Sequence, residues 1–204
     1  MKLLELFSGT KSVGKVAEQL GYDVTSLDRD LDADIKCDIL DWDYKQYAVG
    51  YFDVIWASPP CDTFSTVKNT WIGRHGYTRE SVQNDIDNIG LPILRKAEEI
   101  INYFNPKYYF IENPQTGKMK QYINDKPYYD VDYCKYSDWG YRKRTRIWTN
   151  IQGFNAMTCK KDCDNMNGNK HRVDVSKHFG GGSNRVPRYG IPPKLIEDLF
   201  NCIE

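Results

Sequence analysis

Short runs of apolar and β-branched residues recur along the first 150 positions and predict a series of strands. The runs cover residues 3–7, 24–27, 52–57, 108–112, 131–134 and 146–149. The first four give way to Ser, Asp or Asn, which is typical of strands that leave a buried sheet at a turn.

Residues with helical spacing lie between these runs. After the first strand, apolar side chains recur three or four positions apart, at Val13, Val16, Ala17 and Leu20. A second helical pattern covers residues 81–104, where Gly90 and Pro92 can kink or divide the helix. Strands that alternate with helices predict an α/β fold, with a mostly parallel sheet and helices on both faces.

The end of the chain has a different composition. Residues 151–190 are rich in Gly, Asn, Lys and Asp and show little periodicity. We therefore predict three parts: a sheet domain over residues 1–150, a small irregular lobe over 151–187, and a C-terminal helix over 188–204 that returns to the sheet domain.

Length and composition fit a single intracellular unit. The chain has 204 residues, 40% of them hydrophobic, which suits one domain with a substantial core. No apolar run approaches the roughly 20 residues needed to span a bilayer, and residues 1–7 do not resemble a signal peptide. The six cysteines lack the clustering of a secreted disulfide scaffold. A cytoplasmic monomer without membrane contact is expected.

The formal net charge is zero, but the charges are unevenly distributed. Residues 135–194 contain 13 basic and 4 acidic residues, and the rest of the chain contains 15 basic and 24 acidic residues. The charge is therefore +9 in the first segment and −9 in the remainder. This asymmetry is expected when one face contacts a polyanion, and the loop over residues 62–80 adds further basic side chains to the predicted contact.

Candidate ligand-binding residues lie at the predicted strand ends, where α/β sheets bind their ligands. Phe7-Ser8-Gly9 forms a turn between the first strand and its helix. Asp28 ends the second strand and can accept hydrogen bonds from both hydroxyls of a ribose. Together they indicate a cofactor that contains a nucleoside, although each alone is also typical of an ordinary turn or a solvated carboxylate.

Two further motifs place reactive side chains at strand ends. In Ser58-Pro59-Pro60-Cys61 the prolines fix the backbone, so that Cys61 is held where a thiol suits covalent catalysis. Glu112-Asn113-Pro114 ends another strand, and a carboxyl at the rim of a sheet can hold or deliver a proton. A helix cap is the alternative interpretation of Glu112.

Arg144 and Arg146 alternate in a predicted late strand and are therefore expected on the same face. Two guanidinium groups on one face can hold a phosphate and a base carbonyl together. A basic edge strand that resists aggregation is the alternative interpretation.

In this order, the motifs resemble the cytosine-C5 DNA methyltransferase family. The matching segments are Glu5-Leu6-Phe7-Ser8-Gly9, Asp28, Ser58-Pro59-Pro60-Cys61, Glu112-Asn113-Pro114, Arg144-Thr145-Arg146 and Ile191-Pro192-Pro193. The resemblance implies a Rossmann-like class I fold that binds S-adenosyl-L-methionine. Residues 1–150 would then be the catalytic domain, and the lobe would recognise the target in duplex DNA.

The resemblance also implies a role for each site residue. Cys61 would attack C6 of a cytosine flipped out of the duplex, and Glu112 would hold or protonate N3. Arg144 and Arg146 would steady the flipped base and its phosphate. The residues expected at the cofactor are Phe7, Ser8, Gly9 and Pro59 around its pocket, Asp28 at the ribose and Asp38 at the adenine.

The chain departs from the family pattern at Lys11, where a Gly is usual, at Arg142, where a Gln is usual, and before its final prolines. The region that would recognise the target is only about forty residues long. Its compactness suits a phage or virus protein, which would act in the interior of a host cell. Three other functions stay open: an RNA (tRNA) cytosine-C5 methyltransferase, a catalytically silent DNA-binding relative, and transfer of another group from a modified cofactor.

Four side chains in the lobe could bind a structural zinc ion: Cys159, Cys163, His171 and His178. Their spacing, Cys-x3-Cys followed by His-x6-His, departs from the usual zinc-finger pattern. Two free thiols and two surface histidines explain the same residues, and we therefore assign no metal from the sequence.

Overall fold

The structure is a computed structural model that describes residues 1–74, 76–174 and 190–203. Its main strands are β1 (Lys2–Leu6), β2 (Asp23–Asp28), β3 (Ile35–Lys36), β4 (Val54–Ala57), β5 (Tyr108–Pro114), β6 (Tyr128–Asp132) and β7 (Arg144–Thr149). They form one sheet in the order β3-β2-β1-β4-β5-β7-β6, parallel except for β7, which is antiparallel to β5 and β6. The predicted mostly parallel sheet is confirmed.

Helices cover both faces of this sheet, as predicted. The α-helices are α1 (Ser12–Gln19), α2 (Arg79–Asp85), α3 (Leu91–Phe104) and α4 (Pro193–Phe200). On one face α1 and α4 pack with Leu3 and Trp56, and on the other α3 packs with Leu4 and Ile55. Among the described residues, no helix is both long and apolar enough to cross a membrane.

The helix predicted over residues 81–104 is divided, and Gly90 rather than Pro92 marks the division. A π-helical turn, Ile86–Gly90, lies between α2 and α3, whereas Pro92 lies in the first turn of α3, where proline is tolerated. A Cβ atom at Gly90 would lie 2.3 Å from Thr63 Oγ1 and 2.9 Å from the ring of Phe64. Glycine is therefore required here for the helix to pack against the loop that follows Cys61.

The late elements differ in detail from the prediction. The strand predicted at 131–134 ends at Asp132, and Cys134 lies in the 3-10 turn Tyr133–Lys135. The lobe contains a two-residue hairpin, β8 (Met166–Asn167) and β9 (Lys170–His171). Residues 175–189 lie outside the described part of the chain.

Glu5 is a buried carboxyl beneath the first turn of α1. It is 2% exposed, and its two oxygens accept hydrogen bonds from the N–H groups of Val13 (3.2 Å) and Gly14 (3.0 Å). These amides begin the helix and would otherwise lack partners. Burial raises the pKa of Glu5 to about 7, although the two amides act in the opposite direction.

This raised pKa predicts a pH-dependent stability. Between pH 4.5 and 7 the folded chain retains a proton that the unfolded chain releases. The free energy of unfolding therefore falls as pH rises through that window, by up to about 3 kcal/mol. Glu5→Gln should flatten this slope in urea unfolding, and Glu197→Gln, at an exposed position on α4, should leave it unchanged. If the free energy of unfolding depended on pH equally in wild type and Glu5→Gln, Glu5 would not be the cause of the dependence.

Candidate active site

The loop of Cys61 is anchored to the strand that ends in Glu112. β4 and β5 are adjacent and parallel, with Ala57 aligned to Ile111. Beyond them, the buried Asn113 donates from Nδ2 to the Pro59 carbonyl at 2.9 Å. Cys61 is half-buried in this loop. The two motifs therefore lie next to each other at the carboxyl edge of the sheet.

Glu112 lies in a small cluster of polar side chains that the sequence analysis did not identify. The Tyr133 hydroxyl donates to Glu112 Oε1 at 3.1 Å, and Lys143 Nζ lies 3.6 Å from the same oxygen. Burial and then the Glu112 carboxylate raise the pKa of Tyr133 well above its ordinary value, so that its hydroxyl stays protonated and donates. In the sequence, the one feature that could have drawn attention to Lys143 is its place between Arg142 and Arg144.

The two predicted arginines share a face, but it is the face opposite Glu112. In the antiparallel register Arg146 is aligned with Asn113, whereas Glu112 is aligned with Ile147, and successive strand residues point to opposite faces. Arg144 makes a two-bond ion pair with Asp132 (3.1 and 2.7 Å), and Arg146 does so with Asp130 (2.7 and 2.8 Å). The structure does not bring these guanidinium groups to Glu112.

Asp132 is the fully buried centre of this second cluster. Besides Arg144, it accepts a bond from Arg142 Nε at 2.9 Å and from the backbone N–H of Cys159 at 2.7 Å. Burial alone would raise the pKa of Asp132, but the bonds from Arg144, the Cys159 amide and Arg142 hold it below its ordinary value. The carboxylate therefore stays charged and joins the lobe to β7.

The turn after β1 has an unusual backbone. Phe7, Gly9 and Lys11 all have positive φ, between 54° and 60°, so that the chain reverses tightly around Ser8. Ser8 is buried, and its Oγ has no hydrogen-bond partner among the described residues. A buried hydroxyl without a partner is costly, which fits a polar ligand at this turn.

Asp28 is bonded directly to the same turn, and Asp38 lies in the loop that follows β3. Asp28 accepts bonds from the N–H groups of Gly9 (2.9 Å), Asp30 (2.9 Å) and Leu31 (2.8 Å), which leaves part of its roughly four-site acceptor capacity for a ligand. Asp38 accepts from the Leu40 N–H at 3.0 Å. Asp28 therefore shapes the turn as well as bordering it, a role that the sequence did not indicate.

Comparison with known proteins identifies the family. No family model matches the chain. A protein of Frog virus 3 (isolate Goorha), named "Probable DNA (cytosine-5)-methyltransferase", is 47% identical over 213 residues, which span 98% of this chain and 99% of that protein. The chain belongs to the DNA (cytosine-5)-methyltransferase family. The resemblance inferred from its motifs is thus confirmed.

One solved structure shares the fold of this methyltransferase, and a second gives a weaker match. An Entamoeba histolytica methyltransferase matches with a TM-score of 0.53 at 15% identity, over 85% of this chain and 57% of its own. A Spodoptera frugiperda DNMT2 mutant matches with a TM-score of 0.46 at 18% identity, over 72% and 49%. The methyltransferase chain spans about half the length of these two structures.

The Lys11 departure from the family pattern has a structural explanation. Lys11 keeps the left-handed backbone, φ 55°, that a glycine adopts freely. Its side chain makes an ion pair at 3.3 Å with Asp32, which is almost fully exposed, and such pairs add little stability. The turn of this methyltransferase therefore holds a non-glycine residue in the left-handed region, at a cost of about 1–2 kcal/mol.

Replacing Lys11 with glycine should relieve that cost. Lys11→Gly is expected to raise the free energy of unfolding by about 0.5–1 kcal/mol, since the greater entropy of unfolded glycine offsets part of the gain. Lys15→Gly, within α1, is the matched control and should lower it by about 1 kcal/mol. Urea unfolding measures both, and a destabilised Lys11→Gly variant would show that the Lys11 side chain matters more than its backbone.

Proposed function

We propose that the chain transfers a methyl group from S-adenosylmethionine to carbon 5 of cytosine in DNA. The observation that supports it most is the bond from Asn113 to the Pro59 carbonyl, which ties the loop of Cys61 to the strand of Glu112. A thiol and a carboxyl held at one sheet edge suit addition to a pyrimidine ring. The near full-length likeness to the Frog virus 3 protein supports the same reaction.

The residues around the first turn fit S-adenosylmethionine, which supplies an electrophilic methyl group on a sulfonium centre. Phe7, Ser8 and Gly9 line the proposed pocket, and the unpartnered Ser8 hydroxyl is available to a polar group. We assign Asp28 to the ribose hydroxyls, Asp38 to the adenine and Pro59 to the wall beneath the nucleophile. These roles are proposals that rest on position and on donor and acceptor chemistry.

Cys61 performs the covalent step. Its thiolate adds to C6 of a cytosine flipped from the stack, because a stacked ring hides that carbon. The electrons of the C5–C6 double bond move toward N3, where Glu112 supplies a proton, and C5 becomes nucleophilic. Once C5 has taken the methyl group, a base removes the C5 proton, the C5–C6 double bond forms again, Cys61 leaves as a thiolate, and N3 returns its proton to Glu112.

The contacts of Glu112 fix its side chain and stabilise the carboxylate that remains while the proton is on N3. After the transfer Glu112 is a carboxylate in a buried position, where an isolated charge is unfavourable. The Tyr133 hydroxyl at 3.1 Å and the Lys143 ammonium at 3.6 Å stabilise that charge. Because they act on the carboxylate, we treat both as positioning residues.

We retain Arg144 and Arg146 as contacts for the nucleic acid, with a changed geometry. Each ion pair uses two of the five guanidinium N–H donors, so three remain. Arg144 has a side chain that is 32% exposed and Arg146 one that is 12% exposed. Arg144 is therefore the better candidate for a phosphate contact.

DNA is the proposed partner, bound by the basic segment at residues 135–194. The enzyme is proposed to act as a monomer inside the cell or, for a viral protein, inside its host. Incubation with labelled S-adenosylmethionine and either duplex DNA or tRNA, followed by nucleoside mass spectrometry, tests the substrate. Labelled 5-methylcytosine in DNA is expected, and label in tRNA alone would overturn the assignment.

The cofactor site can be tested by calorimetry. Asp28→Ala should weaken binding of S-adenosylmethionine by about 1–3 kcal/mol, because ribose hydroxyls lose an acceptor and the Gly9 amide loses its partner. Asp32→Ala, an exposed carboxylate on the same loop, should leave the affinity unchanged. Equal affinities in Asp28→Ala and wild type would remove Asp28 from the site.

The covalent step can be tested with 5-fluorocytosine in the DNA. Fluorine cannot leave as a cation, so elimination is blocked and the protein should be trapped on the DNA. Cys61→Ser should abolish trapping, and Cys202→Ser, which alters a cysteine near the C-terminus, should not. Glu112→Gln should slow trapping by roughly a hundredfold or more, because an amide cannot supply the proton. Full methylation by Cys61→Ser would refute the mechanism.

A further inference from the structure

Four metal-ligating side chains converge where the lobe meets the sheet. They are Cys134, in the turn after β6, and Cys159, Cys163 and His171, all from the lobe. Their ligand atoms lie within 4.8 Å of one another. Cys134 and Cys159 are buried, and Cys163 and His171 are half-buried.

The distances in this group fit a tetrahedral metal site. Cys159 Sγ lies 3.6 Å from Cys163 Sγ, and His171 Nε2 lies 3.5 and 3.4 Å from the two sulfurs. For zinc bonds of about 2.3 Å to sulfur and 2.0–2.1 Å to nitrogen, a tetrahedron has edges of about 3.8 Å (S to S) and 3.5 Å (S to N). A disulfide would require about 2.05 Å.

We propose that Cys134, Cys159, Cys163 and His171 bind one structural zinc ion. Three thiolates and an imidazole favour zinc over the oxygen-seeking Mg²⁺ and Ca²⁺. Four protein ligands complete the tetrahedral shell and leave no open position for a substrate, which is the pattern of a structural site.

The surrounding backbone already supports these ligands. The Lys161 N–H donates to Cys159 Sγ at 3.2 Å, from a residue held at φ 69°. The Cys159 N–H is fixed by Asp132. Asn165, buried, donates to the Cys134 carbonyl at 2.9 Å and accepts from the Gly140 N–H at 2.9 Å. Outer contacts of this kind orient metal ligands.

The proposed ion has a clear mechanical role, separate from methyl transfer. The lobe shows little hydrophobic periodicity, and small units with limited cores commonly need a metal or disulfide. One ligand comes from the turn after β6 and three come from the lobe, so the zinc joins the two. It thereby holds the Cys159 amide against Asp132, the carboxylate that also binds Arg142 and Arg144.

This set differs from the one considered from the sequence, which included His178 and omitted Cys134. The two sets share Cys159, Cys163 and His171, and His178 lies outside the described residues. The difference is testable, because the proposed set requires Cys134 and leaves His178 free of the metal.

Elemental analysis of protein purified without chelators should find one zinc per chain. Cobalt substitution should give the intense visible bands of a tetrahedral site and thiolate charge transfer in the near ultraviolet. Cys134→Ser, Cys159→Ser and His171→Ala should lose zinc, and the controls Cys37→Ser, Cys202→Ser and His178→Ala should retain it. Retention by His171→Ala with loss in His178→Ala would refute the proposed ligand set.

If a variant fails to fold, the proposal can still be tested by removing zinc from the wild-type protein. Removal of zinc with a chelator should lower the melting temperature and open residues 151–174 to proteolysis, and added zinc should reverse both. X-ray absorption should show three sulfur ligands and one nitrogen. A metal-free chain with an unchanged melting temperature and no cobalt spectrum, or a Cys159–Cys163 disulfide by mass spectrometry, would overturn the proposal.

Discussion

Parallel pairing of β4 with both β1 and β5 is the constraint on which the candidate site depends. It aligns Leu6 with Ala57 and Ala57 with Ile111, so the three strands leave the sheet at nearly the same level. The turn of the proposed cofactor pocket, the loop of Cys61 and the carboxyl of Glu112 are therefore neighbours, although they are far apart in the sequence. Each group reaches this edge because a buried parallel strand positions it, and such edges are where α/β sheets bind ligands.

The antiparallel strand β7 adds a second constraint through a single buried carboxylate. Asp132 is surrounded by Arg142, Arg144 and the Cys159 amide. Asp132 is fully buried, so removing any one of these partners leaves its charge less well compensated and is expected to be destabilising. We therefore expect these groups to behave as a unit, so that a substitution in the lobe that moves the Cys159 amide also alters the position of Arg144. The Arg142 that departs from the family pattern belongs to this unit, which gives it a structural purpose.

Much of the fold and of the candidate site could be predicted from short sequence patterns. Most of what could not be predicted depends on how the strands are aligned with one another. Strand ends are marked by turn residues and prolines, so Asp28, Cys61 and Glu112 were found at the correct edge. Alternation predicted that Arg144 and Arg146 share a face. Which face they share relative to Glu112 depends on the β5–β7 register, since a shift of one residue exchanges the faces. Cys134 was missed for a similar reason, because only tertiary packing brings it to the lobe.

The short lobe is shared with the viral relative, because the aligned region covers 99% of that protein. A segment this small cannot bury enough surface to be stable alone, and its buried residues Ile151 and Phe154 pack in the core formed by α1, α4 and the sheet. The lobe thus depends on packing against the sheet and these helices for its stability as well as its position.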